Sequence, residues 1–400
     1  MRVLAVVVTP PSYRASGGVA AGLELSRHLA RIEGLDVEAA IMADSDFVRN
    51  DDGLRLRGFR CRNRLGPLQP VMPQALGTTQ WRSGIPAYIA STRPQVVHLH
   101  NPVPPGALWD VARTCVALGI PYVISTHGFV EMTRFAEAYR LPALVAAAVP
   151  WFIERPFRRV VAHADRVCML SPLEGPLLDA LGVPPDHRVV VTNGASSLGP
   201  VDESVRARLR MKLGLRAGVP LWLFVGNHTA NKGIDVLLDA AGRVSVPMQV
   251  VVAGAIRSPE SHAALRTSHN LDALGDGVVF TDFLSDEDLQ ALYQIVDAFV
   301  FPSRADTLPL VILDAMASGL PVVATPVGGI PYQVTPDTGL LVPVDDAAAL
   351  ASAMDLLSAD SHRRRALGEG GRRRAREIFD WPRAAAAAAE TYAQVVRRRA

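Results

Sequence analysis

The stretch AFVFPSRADTLPLVILDAMASGLPVVATPVGG, residues 298–329, holds a strand, a loop, a helix and a second strand in one run. AFVFPS (298–303) and PVVATP (321–326) are apolar without alternation, as strands are when both faces of a parallel sheet are covered. Between them, a loop holds Asp306 and a helix beginning near Leu310 carries Asp314. The carboxyl edge of such a sheet, where this loop falls, is where open α/β folds bind ligands.

The same grammar continues in both directions. LWLFV (221–225), MQVVVAG (248–254), GVVFTDF (277–283) and GLLVPV (339–344) are further buried strands with helical segments between them. Upstream, RVLAVVV (2–8), Val37–Met42, QVVHLH (95–100), PYVIST (121–126), RVCML (166–170) and RVVVT (188–192) alternate with helical stretches such as Gly18–Arg31 and Gly106–Leu118. Periodicity lapses over SSLGPVDE (196–203). The reading is α/β with two Rossmann-like, doubly wound domains facing across a cleft: residues 1–198, residues 199–378, and a closing helix over 379–400 that crosses back to the first domain. Segments such as Asp44–Gln80 and Phe129–Leu141 read as loops that choose the ligand of the first domain.

Composition sets the bounds. The 400 residues exceed one ordinary core, and 49% hydrophobic with 20% charged residues is a globular balance. A net charge of +2 gives no reason to expect nucleic acid, and the arginine runs at 363–365, 372–374 and 397–399 read as solvated helix faces. Cys61, Cys115 and Cys168 lie far apart, which indicates neither a disulfide framework nor a zinc site and points to a reducing, cytoplasmic setting. Val3–Val8 reads as a buried strand rather than a signal segment, and Leu141–Phe152 is broken by Pro142 and Pro150 and too short to span a bilayer. Membrane contact is therefore expected to be peripheral at most, at the inner face.

Two segments carry chemistry. GNHTANKG (226–233) follows a strand and precedes a helix starting at Ile234, so glycine allows close backbone approach, the helix start offers amides, and Lys232 adds a full charge. A diphosphate suits that arrangement; an exposed lysine before a helix is the plainer alternative. In the second segment, Asp306 in the loop and Asp314 just over one turn into the helix suit a ligand with hydroxyl groups. Pro309 lacks an N–H, which leaves Thr307, Leu308 and Leu310 to supply backbone donors. The plainer alternative makes Asp306 a helix cap and Asp314 a solvated helix residue.

Taken together, 226–233, 298–329 and GGIP at 328–331 resemble the donor site of the retaining glycosyltransferases of family 4, which have the GT-B fold. GG at 17–18, HLHNP at 98–102, THG at 126–128, TNG at 192–194 and FDW at 379–381 agree in order, so the resemblance covers essentially the whole chain. It implies an NDP-sugar-dependent hexosyltransferase-type enzyme acting with retention on a glycan, lipid-linked or secondary-metabolite hydroxyl, with no cofactor and no obligatory metal. It also implies roles: Lys232 and Asn227 at the donor diphosphate with Gly226, Asp314 on the ribose, Asp306 near the transferred sugar, Gly17 and Gly18 near the diphosphate, and His127 facing the sugar.

This chain departs from the family at several of these positions. Asn227 stands where the family usually has an arginine, Asp306 and Asp314 where it has glutamates about 1.5 Å longer, and Tyr332 where a glutamate follows GGIP. Arg14 is a candidate for the charge missing at Asn227. His98 and His100 alternate on one strand, so one of them is expected to face the cleft and both are read as structural. Two other readings share the architecture: a non-catalytic nucleotide-sugar-binding protein, and another GT-B enzyme such as an epimerase or phosphorylase.

Overall fold

The computed structural model describes residues 1–10, 16–64, 66, 80–101, 103–133, 136, 143–196, 199–255 and 275–399. Arg14, Pro102, Leu198 and parts of 44–80 and 129–141 lie outside the described residues. The chain divides into two compact units, Met1–Asn193 with Trp381–Ala400, and Gly194–Asp380.

The first unit is built on β1 (Arg2–Val7), β2 (Asp36–Ala43), β3 (Phe47–Asp51), β4 (Leu54–Asn63), β5 (Trp81–Ser83), β6 (Val96–His100), β7 (Tyr122–Ser125), β8 (Arg166–Met169) and β9 (Arg188–Val190). Their order is β3-β4-β2-β1-β6-β7-β8-β9, with β5 on β4. From β2 to β9 the central strands pair in parallel, and strand order reverses between β1 and β6. Val6, Leu99, Ile124 and Val167 fill the core between the sheet and its helices. Helix α1 (Gly17–Ala30) starts at Ser16, whose hydroxyl accepts the Val19 N–H, and buries Val19, Leu25 and Leu29.

Part of the segment expected as a loop over 44–80 is sheet. Phe47–Asp51 and Leu54–Asn63 form an antiparallel hairpin, and β4 also pairs in parallel with β2. The signals are Asp52 and Gly53 at φ 53° and 85°, which make a two-residue turn, and Leu54, Leu56 and Gly58 buried on alternate positions. Gly58 faces Phe47 across the pair, whose ring occupies the space where any Cβ would stand.

The second unit holds β10 (Leu221–Val225), α2 (Ile234–Ala241), β11 (Gln249–Ala253), β12 (Val278–Thr281), α3 (Asp286–Ile295), β13 (Ala298–Phe301), α4 (Leu310–Ala317), β14 (Val322–Ala324), β15 (Gly339–Leu341) and α5 (Ser361–Ile378). The all-parallel order β12-β11-β10-β13-β14-β15 is third, second, first, fourth, fifth, sixth, the doubly wound arrangement. Its reversal lies between β10 and β13. The closing helix, Trp381–Arg399, belongs to the first unit and packs on α1, β6 and β8 through Trp381, Ala384, Ala388, Tyr392 and Val395. Among the described residues no helix is long and apolar enough to cross a membrane.

Candidate functional site

Strand order reverses between β10 and β13, the place where doubly wound sheets carry their ligand crevice, and the loops leaving these two strands lie against each other there. The loop after β10 runs Gly226–Asn227–His228–Thr229, makes one 3-10 turn over Ala230–Lys232, and enters α2 through Gly233. Gly233 sits at φ 67°, and a Cβ there would stand 2.0 Å from the Pro302 carbonyl oxygen. Only glycine lets the two loops approach this closely.

Lys232 and Asp306, 74 residues apart, meet in this crevice. The Lys232 ammonium donates to both carboxylate oxygens of Asp306 at 2.8 Å, with the two side chains 18% and 13% exposed. The Ser303 hydroxyl reaches Asp306 Oδ2 at 2.6 Å and lies 3.0 Å from the Asn231 carbonyl. Asp306 is thus not a helix cap: the N-cap of α4 is Pro309, whose side chain makes no cap hydrogen bond.

Arg304 binds the loops together. Its backbone N–H donates to the Asn231 carbonyl at 2.7 Å, and its guanidinium grips Asp235 with two bonds at 2.9 and 2.6 Å. The same group reaches Asp345 at 2.6 Å and the Ala230 carbonyl at 2.5 Å. The hydrogen bond to Asp235 is the main cause holding the Arg304 guanidinium above its ordinary value. The 3-10 turn that presents Lys232 is therefore fixed from the loop that presents Asp306. Sequence reading passed over Arg304, whose partners are distant in the chain.

The Gly328–Gly329 pair supports the same loop from behind. Gly328 has φ 53° with a would-be Cβ 1.8 Å from the Asp306 carbonyl oxygen, and the Gly329 N–H donates to the Thr307 carbonyl at 2.6 Å. The Thr307 hydroxyl is buried with no hydrogen-bond partner among the described residues, while the Leu308 side chain joins the core. Leu310 opens α4, and Asp314 lies one turn further, half-buried, its Oδ1 accepting the Ser196 N–H at 2.9 Å. Tyr332 packs edge-on against Phe379 at 5.5 Å, and Arg374 caps the Tyr332 and Gln333 carbonyls. At this position the chain uses an aromatic wedge.

In the first unit the strand-order reversal brings Gly17, Gly18, Asn101 and His127 to the carboxyl ends of β1, β6 and β7. A Cβ on Gly18 would touch His127 Cβ at 3.4 Å and Asn101 Oδ1 at 3.7 Å, whereas one on Gly17 would meet nothing within 4 Å among the described residues. Asn101, at φ 65°, donates to the Val8 and Val103 carbonyls at 2.9 and 3.1 Å and so ties β1 to β6. His127 is 5% exposed, and burial pushes its imidazole down to about 4, so it is neutral at physiological pH.

His98 and His100 do not divide between two faces. Side chains two apart on a strand point the same way, and their ring centroids lie 3.9 Å apart. The expectation that only one of them faces the cleft side fails for that reason. His98 is held between the Tyr392 hydroxyl at 2.6 Å and the Ser125 hydroxyl at 2.8 Å. Both nitrogens of His100 are buried without a partner among the described residues, and Gly22 leaves room for its ring.

Residues 16–194 match the model described as glycosyl transferase 4-like domain, and residues 219–360 match that for glycosyl transferases group 1. The D-inositol 3-phosphate glycosyltransferase of Xylanimonas cellulosilytica is 36% identical over 411 residues, covering 94% of this chain and 91% of that protein. The alpha-maltose-1-phosphate synthase of Mycolicibacterium smegmatis is 34% identical over 298 residues, covering 69% and 74%. In three dimensions the chain resembles the sucrose-phosphate synthase of Thermosynechococcus elongatus, with a TM-score of 0.76 at 24% identity and 99% of each chain covered. It also resembles Anabaena HepE solved with UDP-glucose, with a TM-score of 0.75 at 18% identity, covering 98% and 100%.

Proposed function

Because the chain belongs to the group 1 glycosyl transferases, with the family 4 type of N-terminal domain and the GT-B fold, we propose that it transfers a sugar from a nucleoside diphosphate to an acceptor hydroxyl with retention at the anomeric carbon. The observation that carries this reading is the cluster of Lys232 and Asp306 at the crevice between β10 and β13, buttressed by Arg304 and Gly328–Gly329. Lys232 holds the departing diphosphate together with the amides at the starts of α2 and α4. Asp306 meets hydroxyls of the transferred sugar and Asp314 those of the ribose. The departing phosphate oxygen accepts the proton of the incoming hydroxyl as the new bond forms on the same face, so the chain supplies no separate base. Neutral His127 offers a hydrogen bond without a competing charge. The reading invokes no metal and no cofactor.

The first acceptor to offer is D-inositol 3-phosphate, the compound in the name of the 36% identical relative. The test incubates the purified chain with UDP-, GDP-, ADP- and dTDP-sugars, with and without this acceptor, and follows nucleoside diphosphate release and product by mass spectrometry. Lys232→Ala is expected to lower transfer by about 10²-fold or more, the usual cost of removing a group that stabilises the leaving charge. Equal turnover by wild type and Lys232→Ala defeats the assignment of Lys232, and binding of a sugar nucleotide without any turnover favours a non-catalytic binding protein.

A further inference from the structure

The contact between Lys232 and Asp306 sets a condition on what the crevice accepts. The single ammonium is engaged by both oxygens of one carboxylate at equal distance, and Ser303 adds a hydroxyl to the same carboxylate. Both charges are largely withdrawn from solvent, at 18% and 13% exposure. Separating such a pair without replacing its hydrogen bonds is costly, because each ion left behind is poorly solvated. An anion that takes Lys232 therefore competes with Asp306 for the ammonium and lies beside its carboxylate.

We propose that Asp306 stands in for the diphosphate on Lys232 in the unliganded protein, and that this exchange makes the site prefer intact sugar nucleotide to the free nucleoside diphosphate product. The inference rests on the reading of Lys232 as the diphosphate ligand and of Asp306 as the neighbour of the transferred sugar. An intact donor gives each member of the pair a new partner: the diphosphate for the ammonium, and sugar hydroxyls for the carboxylate. A free nucleoside diphosphate satisfies only the ammonium. It leaves a buried carboxylate with the Ser303 hydroxyl and no sugar hydroxyls, close to a second negative group. The sugar's hydroxyls thereby relieve a penalty that the product incurs in full, and the product is released more readily after transfer. Removing the Asp306 charge is consequently expected to strengthen product binding, the opposite of what deletion of an ordinary ligand contact does.

The test is calorimetric titration of the full chain with UDP, GDP and ADP, and with UDP-glucose, UDP-N-acetylglucosamine, GDP-mannose and ADP-glucose. Wild type is expected to bind one sugar conjugate at least tenfold more tightly than its own nucleoside diphosphate, a comparison that needs no variant. Asp306→Asn, and Asp306→Ser as a second variant that removes the charge with less bulk, are expected to bind that diphosphate at least tenfold more tightly than wild type. The preference for the conjugate then shrinks. Thermal melts confirm that each variant is folded before titration. The inference is overturned if wild type binds diphosphate as well as every conjugate, or if folded charge-removed variants bind diphosphate no more tightly. If neither wild type nor variants bind any nucleotide, the functional reading fails and takes this inference with it.

Discussion

At the scale of single residues, the chemistry of this site depends on how closely two loops approach. Gly328 is the clearest case, because φ 53° and a carbonyl oxygen 1.8 Å from any added Cβ leave an L side chain no accommodation. Gly328→Ala is expected to lower stability by about 2–4 kcal/mol, the range for a disallowed backbone combined with a steric clash, and to displace the loop that carries Asp306. Gly17→Ala, where the new methyl group meets nothing within 4 Å among the described residues, serves as the control and should melt with wild type. Equal melting temperatures for the two variants would falsify the steric account. Sequence alone offered Gly226 and Lys232 as a candidate anion site with an exposed lysine before a helix as the plainer alternative, and only the family resemblance joined the GG pairs to it. It did not reveal that Lys232 is paired with Asp306, because a contact across 74 residues leaves no local signature. Arg304 went unnoticed for the same reason: an arginine in a loop looks solvated until its partners at 230, 235 and 345 are brought to it.

At the scale of elements, what was legible followed from burial. Strands covered on both faces, such as LWLFV and AFVFP, read as continuous apolar runs, and they lie at Leu221–Val225 and Ala298–Phe301 in the structure. The edge hairpin β3–β4 escaped because Arg49, Asn50 and Arg55 are exposed polar residues within it, which make a half-exposed strand resemble a polar loop. The alternation of Leu54 and Leu56 with arginines, together with the Asp–Gly turn, was the missed signal. The closing helix shows how a buried polar contact adds to packing, beside the exposed pair of Arg399 with Asp165. Its buried face sets Ala384, Ala385 and Ala388 among Trp381, Thr391, Tyr392 and Val395, and Tyr392 reaches into the sheet to hold His98. Tyr392→Phe keeps the ring but leaves a fully buried imidazole nitrogen without its partner, so a loss of about 1–3 kcal/mol is expected. The double variant Tyr392→Phe with His98→Leu should recover part of that loss, and failure to recover any would show that the hydroxyl acts on something other than His98.

At the scale of the whole molecule, the buried titratable groups cluster in the first unit, and they make stability depend on pH in a direction that can be worked out. Burial lowers His98 to about 3 and His127 to about 4, and it holds His100 well below its ordinary 6.5. In the unfolded chain these imidazoles take up protons as pH falls below about 6.5, while in the folded unit they do not, so the unfolded state binds more protons. Stability from these groups is fully present above 6.5 and is lost as pH falls toward the folded values, on the order of 3 kcal/mol for His127 alone. Glu174 acts in the opposite sense. Burial is the main cause that lifts its carboxyl from 4.5 to about 7, so its proton stabilises the fold below 4.5 and that contribution disappears as pH rises through 7. The thiols of Cys115 and Cys168, pushed up to about 12, stay neutral throughout. Three imidazoles outweigh one carboxyl, and melts of the full chain are expected to show stability rising from pH 4 to about 6.5 and then levelling. Glu174→Gln separates the two contributions, because Gln keeps an acceptor for the Ser171 N–H, which Glu174 Oε1 receives at 2.8 Å, but carries no charge. The variant is expected to melt above wild type at pH 8, where the buried carboxylate is ionised, and to lose that advantage by pH 4.5, where the native side chain is neutral as well. An advantage of the same size at both pH values would mean that Glu174 does not titrate between them.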